Sequence, residues 1–275
     1  MGEEWTIHDT GDEKCYRFKP FAGNTLRFQV KAAHDCHLAF TTADGETEPM
    51  YEVFIGGWDN GSSAVRFNQS GELVKVDTPD ILSEEEFREF WVVTDHDEIR
   101  VGRGGECEPF MTCTLPEHVQ TTHFGYSSGW GATGCFQFFQ ELTHATEDKL
   151  EYVFEQLYGD TFTFTVATDH DAHVALTMGA EETPLMYEVF IGAWNNQHCG
   201  IRKSKETTVV KVDTPDECCG AEKTYWINIR GGDVRVGRLG ETEPFMEWAD
   251  PEAFKITHVG YCTGWGASGT WKLNV

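Results

Sequence analysis

The chain of 275 residues contains the same stretches of sequence twice, and this internal repeat constrains its fold more than any other feature. YEVFIGGWDN begins at Tyr51 and YEVFIGAWNN begins at Tyr187, 136 positions later (187 − 51). HDCHLAFT and HDAHVALT keep that spacing, as do two identical copies of VKVDTPD. EPFM and GWGA then recur 135 positions apart, as in Trp130 and Trp265 (265 − 130), so the second copy has lost one loop residue. A unit of this size is a domain and not a solenoid repeat, which predicts a tandem duplication.

The boundary between the copies is expected in the polar stretch QELTHATEDK, residues 140–149, which separates matched blocks. We therefore expect one domain over residues 1–143 and a second over residues 144–275.

Alternating apolar and polar residues predict β-strands inside each copy. In TLRFQVKA (25–32) three apolar side chains alternate with Arg, Gln and Lys, and TFTFTVAT (161–168) repeats the pattern with threonines. A period of two is typical of half-buried strands. About ten such strands per copy, with few helical signals, predict an all-β protein of two tandem homologous β-sandwich, jelly-roll-like domains.

Turn residues locate two hairpins and one short helical turn. YWINIRGGDVRVGR (225–238) predicts a hairpin around its paired glycines, and residues 51–67 predict another with a type I′ turn at Asn60-Gly61. The second copy has Gln197 in place of the glycine, and because glutamine tolerates positive φ poorly, we expect a different loop there. SEEEFREF (83–90) has capping-box spacing and predicts one helical turn. Trp91 and Trp226, which lie in alternating strands, are expected in the cores.

Charge and composition exclude several functional classes. The net charge of −25 disfavours nucleic acid and anionic membranes, because contacts to phosphates require clustered Lys and Arg. No apolar run reaches the length of a membrane span. The N-terminus has neither a basic nor an apolar signal region, and none of the nine cysteines recurs in the other copy. These features predict a cytoplasmic protein with free thiols.

YEVFIGGWDN, VKVDTPDILSEEEFREFWV, VRVGRLGETEPFMEWADP and THVGYCTGWGASGTW resemble the farnesoic acid O-methyltransferase family of arthropods. The resemblance covers nearly the whole chain and includes the tandem layout. It implies methyl transfer from S-adenosylmethionine to farnesoic acid, giving methyl farnesoate, and thus a role in juvenile hormone biology. The same domain type is also similar to small-ligand and glycan-binding modules.

The residues themselves show no S-adenosylmethionine fingerprint. Such a site joins a strand, a glycine-rich turn and a helix. VGRGGE (101–106) and VGRLGE (236–241) are the nearest candidates, but each is followed by the extended run EPFM. No catalytic residue is predicted, and S-adenosylmethionine is expected only if the chain is a methyltransferase.

Matched tryptophans beside glycines are the leading candidate ligand site. Indoles provide flat stacking surfaces for a sugar or an isoprenoid chain, although they could also close the ends of the sandwiches. The paired arginines could bind a carboxylate or form salt bridges between strands. The candidates are Trp58, Asn60, Arg66 and Trp130 with their copies Trp194, Asn196, Arg202 and Trp265.

A second candidate is the repeated HDxH motif. Residues two apart share a strand face, so we expect Asp35 beside His37 and Asp171 beside His173, with His34 pointing away. A carboxylate beside an imidazole could act as a general base, but it also commonly only orients the ring. Three convergent ligands are not visible, and no metal site is predicted.

These observations predict a non-enzymatic protein that binds a small molecule or glycan through the Trp–Gly loops. Two alternatives stay open: an S-adenosylmethionine-dependent O-methyltransferase, and a structural module that binds another protein.

Overall fold

The computed structural model describes residues 6–21, 23–95, 97–117, 119–139 and 143–274. The chain divides into two compact units, Met1–Gln140 and Glu141–Val275. Each unit contains two six-stranded sheets whose neighbouring strands pair in antiparallel fashion.

Unit 1 is built from two sheets, A and B, in which each strand pairs with the next one named. Sheet A is β1 (Ile7–Thr10), β12 (Gly134–Phe138), β3 (Thr25–Ala32), β8 (Arg88–Thr94), β9 (Glu98–Arg103) and β10 (Pro109–Thr114). Sheet B is β2 (Arg17–Pro20), β11 (His123–Ser127), β4 (Cys36–Thr41), β5 (Met50–Gly56), β6 (Ser62–Phe67) and β7 (Glu72–Asp77). A single helical turn, α1 (Gly57–Asn60), connects β5 to β6.

Unit 2 repeats this order in sheets C and D. Sheet C is β13 (Thr143–Thr146), β24 (Gly269–Asn274), β15 (Thr161–Thr168), β20 (Lys223–Asn228), β21 (Asp233–Arg238) and β22 (Met246–Ala249). Sheet D is β14 (Lys149–Gln156), β23 (His258–Thr263), β16 (Ala172–Thr177), β17 (Tyr187–Gly192), β18 (His198–Lys203) and β19 (Thr207–Asp213). The turn α2 (Ala193–Asn196) connects β17 to β18.

Each unit buries its core between its two sheets, which confirms the tandem β-sandwich. In unit 1, Phe28 and Val30 of sheet A pack in one cluster with Leu38 and Phe40 of sheet B. Sheets C and D enclose a separate cluster in unit 2. Because side chains alternate along a strand, the residues between these core positions lie on the outer faces of the sheets.

Trp91 and Trp226 both lie outside the clusters between the sheets; the expected burial holds for Trp91, which is 1% exposed, but not for Trp226, which is half-buried. Phe90 and Val92 point into the core, so Trp91 lies on the outer face of sheet A. A Cβ at Gly102 would be 2.1 Å from its indole ring. Gly237 is related to Trp226 in the same way, at 2.0 Å. These glycines leave room for the neighbouring tryptophan on the adjacent strand.

Three local predictions are wrong because side chains and tertiary contacts determine the turns. Residues 84–86 form a bend and not a helical turn, although the Ser83 hydroxyl accepts bonds from the amides of Glu85 and Glu86. The hairpin tip is not a type I′ turn, since Gly61 has φ −98°. Gln197 has nearly the same conformation, with φ −104°, so the two loops are alike. The hairpin of β20 and β21 is confirmed, with a 3-10 turn at Arg230–Gly232.

Candidate functional site

The first tryptophan of each unit lies in a left-handed backbone turn. Trp58, Asp59 and Asn60 have φ of 51°, 56° and 60°, and Trp194 also has φ 51°. Left-handed backbone costs roughly 1–2 kcal/mol for each such residue, and bulky residues rarely adopt it. Strain of this kind persists only where surrounding contacts hold it, and it concentrates at functional sites.

Asparagine side chains hold these turns in place. The Asn60 side chain donates to the carbonyl of Leu82 and accepts from its amide, both at 3.0 Å. Asn196 makes the same pair of bonds with Cys218, at 2.6 and 3.0 Å. The two predicted asparagines therefore stabilise the loop that presents the tryptophan, and their amides are engaged with the backbone.

The second tryptophan of each unit occupies another left-handed position. Trp130 has φ 51° and Trp265 has φ 56°, and both are well exposed, at 63% and 72%. In unit 2 the amide of Gly266 donates to Asp148 Oδ1 over 2.8 Å, which fixes the loop after Trp265. The equivalent bond in unit 1 joins Gly131 to Asp12.

The outer face of sheet D supplies the floor of the site in unit 2. Val189 and Ile191 enter the core, so Glu188 and Phe190 point outward from the same strand. Glu188 is only 2% exposed, and it accepts hydrogen bonds from Tyr152 Oη at 2.8 Å and Arg202 Nε at 2.8 Å. Burial beside this carboxylate raises the pKa of the Tyr152 phenol. The hydroxyl therefore stays protonated and donates to the carboxylate.

These elements enclose a cavity of about 700 Å³ in unit 2. Trp194 and Trp265 give it aromatic walls, and its floor contains Phe190 and the charged pair Glu188 and Arg202. The other lining residues are Leu150, Tyr152, His170, Asp171, His173, Ala193, Asn195, Asn196, Lys205 and Thr208. The volume lies in the range typical of small-molecule sites, about 300–1,000 Å³.

His173 lines this cavity and has a buried ring nitrogen without a hydrogen-bond partner in the described part of the chain. The residue is 5% exposed, and its Nε2 has no hydrogen-bond partner among the described residues. Asp171 Oδ1 lies 3.6 Å away, which is close enough for an ionic contact but too far for a hydrogen bond. Buried polar atoms are normally hydrogen-bonded, so this nitrogen is an exception among the described residues, with the Asp171 carboxylate as its nearest polar neighbour.

The repeated HDxH motif brings both histidines to its aspartate, so the expectation that His34 points away is wrong. Asp35 has φ 56° and precedes β4, so strand alternation does not apply to it. Its carboxylate lies 2.6 Å from His34 Nδ1 and 3.2 Å from His37 Nε2. Burial raises the pKa of Asp35, but the hydrogen bonds from the two imidazoles outweigh it and the pKa is lowered. The aspartate is thus a charged partner that orients both rings.

The cavity of unit 1 is smaller, at about 250 Å³. Its lining includes Trp58, Trp130, Phe54 and Arg66, which correspond to residues around the larger cavity. The Trp130 ring stacks on His37 with centroids 5.0 Å apart and an angle of 12°. The eight predicted candidates thus gather as two sets of four around the loops and cavities of the two units.

The four matched arginines form salt bridges, so their guanidinium groups are already paired and are not free to bind the carboxylate of a ligand. Arg66 lies 3.0 Å from Glu72, and Arg202 lies 2.7 Å from Glu188. The other pair behaves similarly, since Arg238 binds Glu217 at 2.8 Å and Arg103 lies 3.8 Å from Glu106.

Three floor residues of unit 2 were missed by sequence reasoning: Tyr152, Glu188 and Phe190. A signal was present, because a glutamate recurs inside the apolar strand YEVFIG in both copies. Acidic residues are almost never fully buried unless they are paired. A repeated glutamate in such a strand indicates a built polar site on the outer face.

The glycine-rich segments do not fit S-adenosylmethionine. Gly102 and Gly237 lie in β9 and β21, in the middle of antiparallel sheets, and the space above each is filled by an indole. A nucleoside cofactor would need that backbone to be open and followed by a helix. No methyl-transfer step can be derived from these residues.

Metal clusters and membrane spans are both missing from the described part of the chain. It contains no group of three or more His, Cys, Asp or Glu side chains placed to hold a metal ion. None of its helices has the length and apolarity needed to cross a membrane. The described ranges include all nine cysteines, and none of these forms a disulfide.

Solved structures show only distant similarity to the chain. The LG1–3 region of the laminin α2 chain is 10% identical, with all of this chain covered, 62% of that chain covered and a TM-score of 0.32. The chain thus spans less than two thirds of that structure. Domains LG4–5 of the mouse laminin α1 chain are 9% identical, with 93% and 80% covered and a TM-score of 0.31. At these TM-scores the likeness supports no statement about function.

An endo-β-galactosidase from Clostridium perfringens that releases GlcNAcα1-4Gal is 8% identical, with 89% and 73% covered and a TM-score of 0.31. No curated protein matches the sequence. The sequence profile described as farnesoic acid O-methyl transferase matches residues 12–142 and again residues 146–274. The chain therefore belongs to the farnesoic acid O-methyl transferase family, with one family domain in each of its two β-sandwiches.

Proposed function

We propose that this protein is a non-enzymatic binding protein and that the cavity of unit 2 holds a saccharide. The observation that carries the proposal is the combination of exposed indoles with a buried polar floor in one cavity of about 700 Å³. Carbohydrates have both apolar C–H faces and many hydroxyl groups, so a site for them requires both kinds of surface.

The aromatic walls are built for stacking. Trp194 is 39% exposed and Trp265 is 72% exposed, although large apolar side chains are normally buried. Trp194 is held from behind, since its ring packs over Gly200 and the Lys211 ammonium lies 4.4 Å from its centroid. A rigid indole loses little conformational entropy when a sugar ring stacks on it.

The floor offers both donors and acceptors to hydroxyl groups. The paired Glu188 and Arg202 provide a carboxylate and a guanidinium within one cavity, and Thr208 adds a hydroxyl to its lining. A hydroxyl can donate and accept at once, so it can bridge such groups. Polar groups in a desolvated site also discriminate strongly against ligands that leave them unpaired.

The same floor is poorly suited to farnesoic acid. A long isoprenoid chain would cover charged groups without bonding them, which costs free energy. Its carboxylate would need an available cation, but Arg202 is paired with Glu188 and Lys205 with Glu182. These contacts support a polar, neutral ligand.

The proposal is tested by titrating the purified chain with methyl glycosides of glucose, galactose, mannose, fucose and N-acetylglucosamine, followed by calorimetry and saturation-transfer NMR. S-adenosylmethionine and farnesoic acid are titrated in parallel. We expect at least one glycoside to bind, and Trp194→Ala and Trp265→Ala each to weaken it by about tenfold or more, which corresponds to about 1.4 kcal/mol.

Trp58→Ala and Trp130→Ala are the matched controls in unit 1, and we expect them to leave this affinity within about twofold. Binding of S-adenosylmethionine with turnover of farnesoic acid would instead establish a methyltransferase. If no glycoside binds, or if both unit 2 variants retain full affinity, the saccharide site is wrong. Capture of a defined protein partner without glycoside binding would favour the protein-interaction module.

A further inference from the structure

We infer that the cavity of unit 1 is closed by its own Lys14, so that the chain carries one ligand site and not two. This inference rests on the proposed ligand site in unit 2. It adds how many ligands one chain binds and which residues determine that number. The copy of Lys14 in unit 2 is Leu150, which has no charge to place against a carboxylate.

The Lys14 side chain occupies the part of the site that is open in unit 2. Its Nζ lies 2.5 Å from Glu52 Oε1, 5.3 Å from the Tyr16 ring centroid and 5.6 Å from that of Phe54. Glu52 is fully buried. The ammonium therefore lies against a carboxylate and near two aromatic rings, which favour a cation, while 25% of the lysine side chain stays exposed.

The linings of the two cavities differ at the same place. Leu150, Tyr152 and Glu188 line the cavity of unit 2. Their copies in unit 1, which are Lys14, Tyr16 and Glu52, do not line the smaller cavity. The difference between about 700 and about 250 Å³ thus coincides with the position of the lysine.

A second difference stabilises the closed arrangement. With Glu52 bound to Lys14, Arg66 instead pairs with Glu72 at 3.0 Å. In unit 2 the residue paired with Arg202 on the neighbouring strand, equivalent to Glu72, is Thr208, which carries no charge. Arg202 therefore forms its salt bridge with Glu188. The exchange of Lys14 and Glu72 for leucine and threonine therefore accounts for both arginine partners.

The third difference is the position of the second tryptophan. Trp130 stacks on His37 in unit 1, whereas Trp265 makes no ring contact with His173 in the described structure. An indole that already stacks on a buried imidazole presents one face fewer to a ligand. The side chains of unit 1 thus cover one another at the positions that unit 2 leaves accessible to a bound molecule.

The test exchanges the two positions between the units. Lys14→Leu with Glu72→Thr gives unit 1 the residues of unit 2, and Leu150→Lys with Thr208→Glu does the reverse. Native mass spectrometry and calorimetry with the five methyl glycosides count the molecules bound per chain. We expect one for the natural chain, two for the first double variant and none for the second. Circular dichroism and thermal unfolding verify that both variants fold.

An independent measurement needs no ligand. A lysine ammonium held by a buried carboxylate exchanges its protons slowly and gives a visible nitrogen-15 resonance, which we expect for Lys14 and which Lys14→Leu should remove. Absence of that resonance in the natural chain overturns the closure, as do two glycosides per natural chain or full binding by the second double variant. If no glycoside binds the natural chain, the proposed function fails, and the ammonium resonance alone decides whether Lys14 closes unit 1.

Discussion

The two units share the frame of the candidate site but differ in what covers its floor. Both present a tryptophan from a left-handed turn after a YEVFIG strand and a second one from a Gly–Trp–Gly loop. Both bury a glutamate on the outer face of that strand, at 0% exposure for Glu52 and 2% for Glu188. In unit 1 the glutamate binds a lysine, and in unit 2 it binds an arginine.

This difference shows that the loops alone do not make a site. The strained turns and their asparagine contacts are nearly identical in the two units. The cavity is about 700 Å³ in unit 2 and about 250 Å³ in unit 1, and that change follows residues on the sheet and on the segment before β2. The duplicated fold therefore fixes where the two tryptophan loops lie, and a few floor residues decide the volume of the cavity beside them.

The largest expected effect is a loss of stability when the glycine beside the outer-face tryptophan is replaced by alanine. We expect a larger loss in unit 1 than in unit 2. Gly102→Ala should lower the free energy of unfolding by about 3 kcal/mol, since overpacking costs about 1–3 kcal/mol and Trp91 cannot move. Its ring is 1% exposed and its Nε1 donates to the carbonyls of Arg103 and Glu106.

Gly237→Ala should cost only about 1–2 kcal/mol, because Trp226 is half-buried and donates to the Glu241 carbonyl. Scanning calorimetry of the full chain measures both variants. Equal losses, or a larger loss for Gly237→Ala, would contradict this account of the two outer faces.

The second prediction compares the buried glutamates. Glu188→Gln should destabilise the chain by about 2 kcal/mol, because it leaves the guanidinium of Arg202 without its carboxylate in a partly buried place. Glu52→Gln should cost about 1 kcal/mol, because the flexible Lys14 can turn its ammonium into solvent. Urea unfolding of both variants provides the measurement, with Glu86→Gln on the exposed bend as the control. A costlier Glu52→Gln would show that Lys14 cannot leave its place.

The smallest effect is a pH dependence in unit 1. Burial lowers the pKa of His37 from its ordinary value of 6.5, and this outweighs its bond to Asp35. Below pH 6.5 the unfolded chain therefore binds a proton that the folded chain does not, so stability is complete above pH 6.5 and decreases as the pH falls. The pKa of Asp35 is lowered too, from 3.8, so its contribution is lost only at more acidic pH.

His37→Gln should flatten the decrease in stability from pH 6.5 down to about pH 5. His8 and His258 also have pKa values lowered by burial, so the natural chain and the variant are compared at each pH. Thermal unfolding across this range is the measurement. Parallel curves for the two proteins would show that His37 gains no proton on unfolding.

Much of the fold could be predicted from the sequence, because strand periodicity and a duplication are both local patterns. The apolar face of TLRFQVKA and the hairpin at residues 225–238 are confirmed. Predictions that depended on neighbours were less successful. Trp91 follows the alternation of its strand, but only the packing of Gly102 on the adjacent strand shows that it lies on the outer face. Asp35 precedes its strand, so alternation gave the wrong direction for His34.

Only part of the candidate site could be predicted, again because the sequence shows local patterns but not contacts between distant residues. The tryptophans stand beside glycines in the sequence, so their loops could be recognised. Tyr152 and Glu188 are 36 residues apart in the chain, and their hydrogen bond exists only because the pairing of β14, β23, β16 and β17 brings them together. Spacing along the chain cannot indicate such a contact.

The sequence by itself determined that this protein is two copies of one strand-rich domain, because side-chain alternation and internal repeats are visible along the chain without knowledge of tertiary contacts. The tertiary structure alone decided which copy has the larger cavity. That depends on whether a lysine or an arginine reaches a buried carboxylate, and this choice is made by distances across a sheet that no local pattern records.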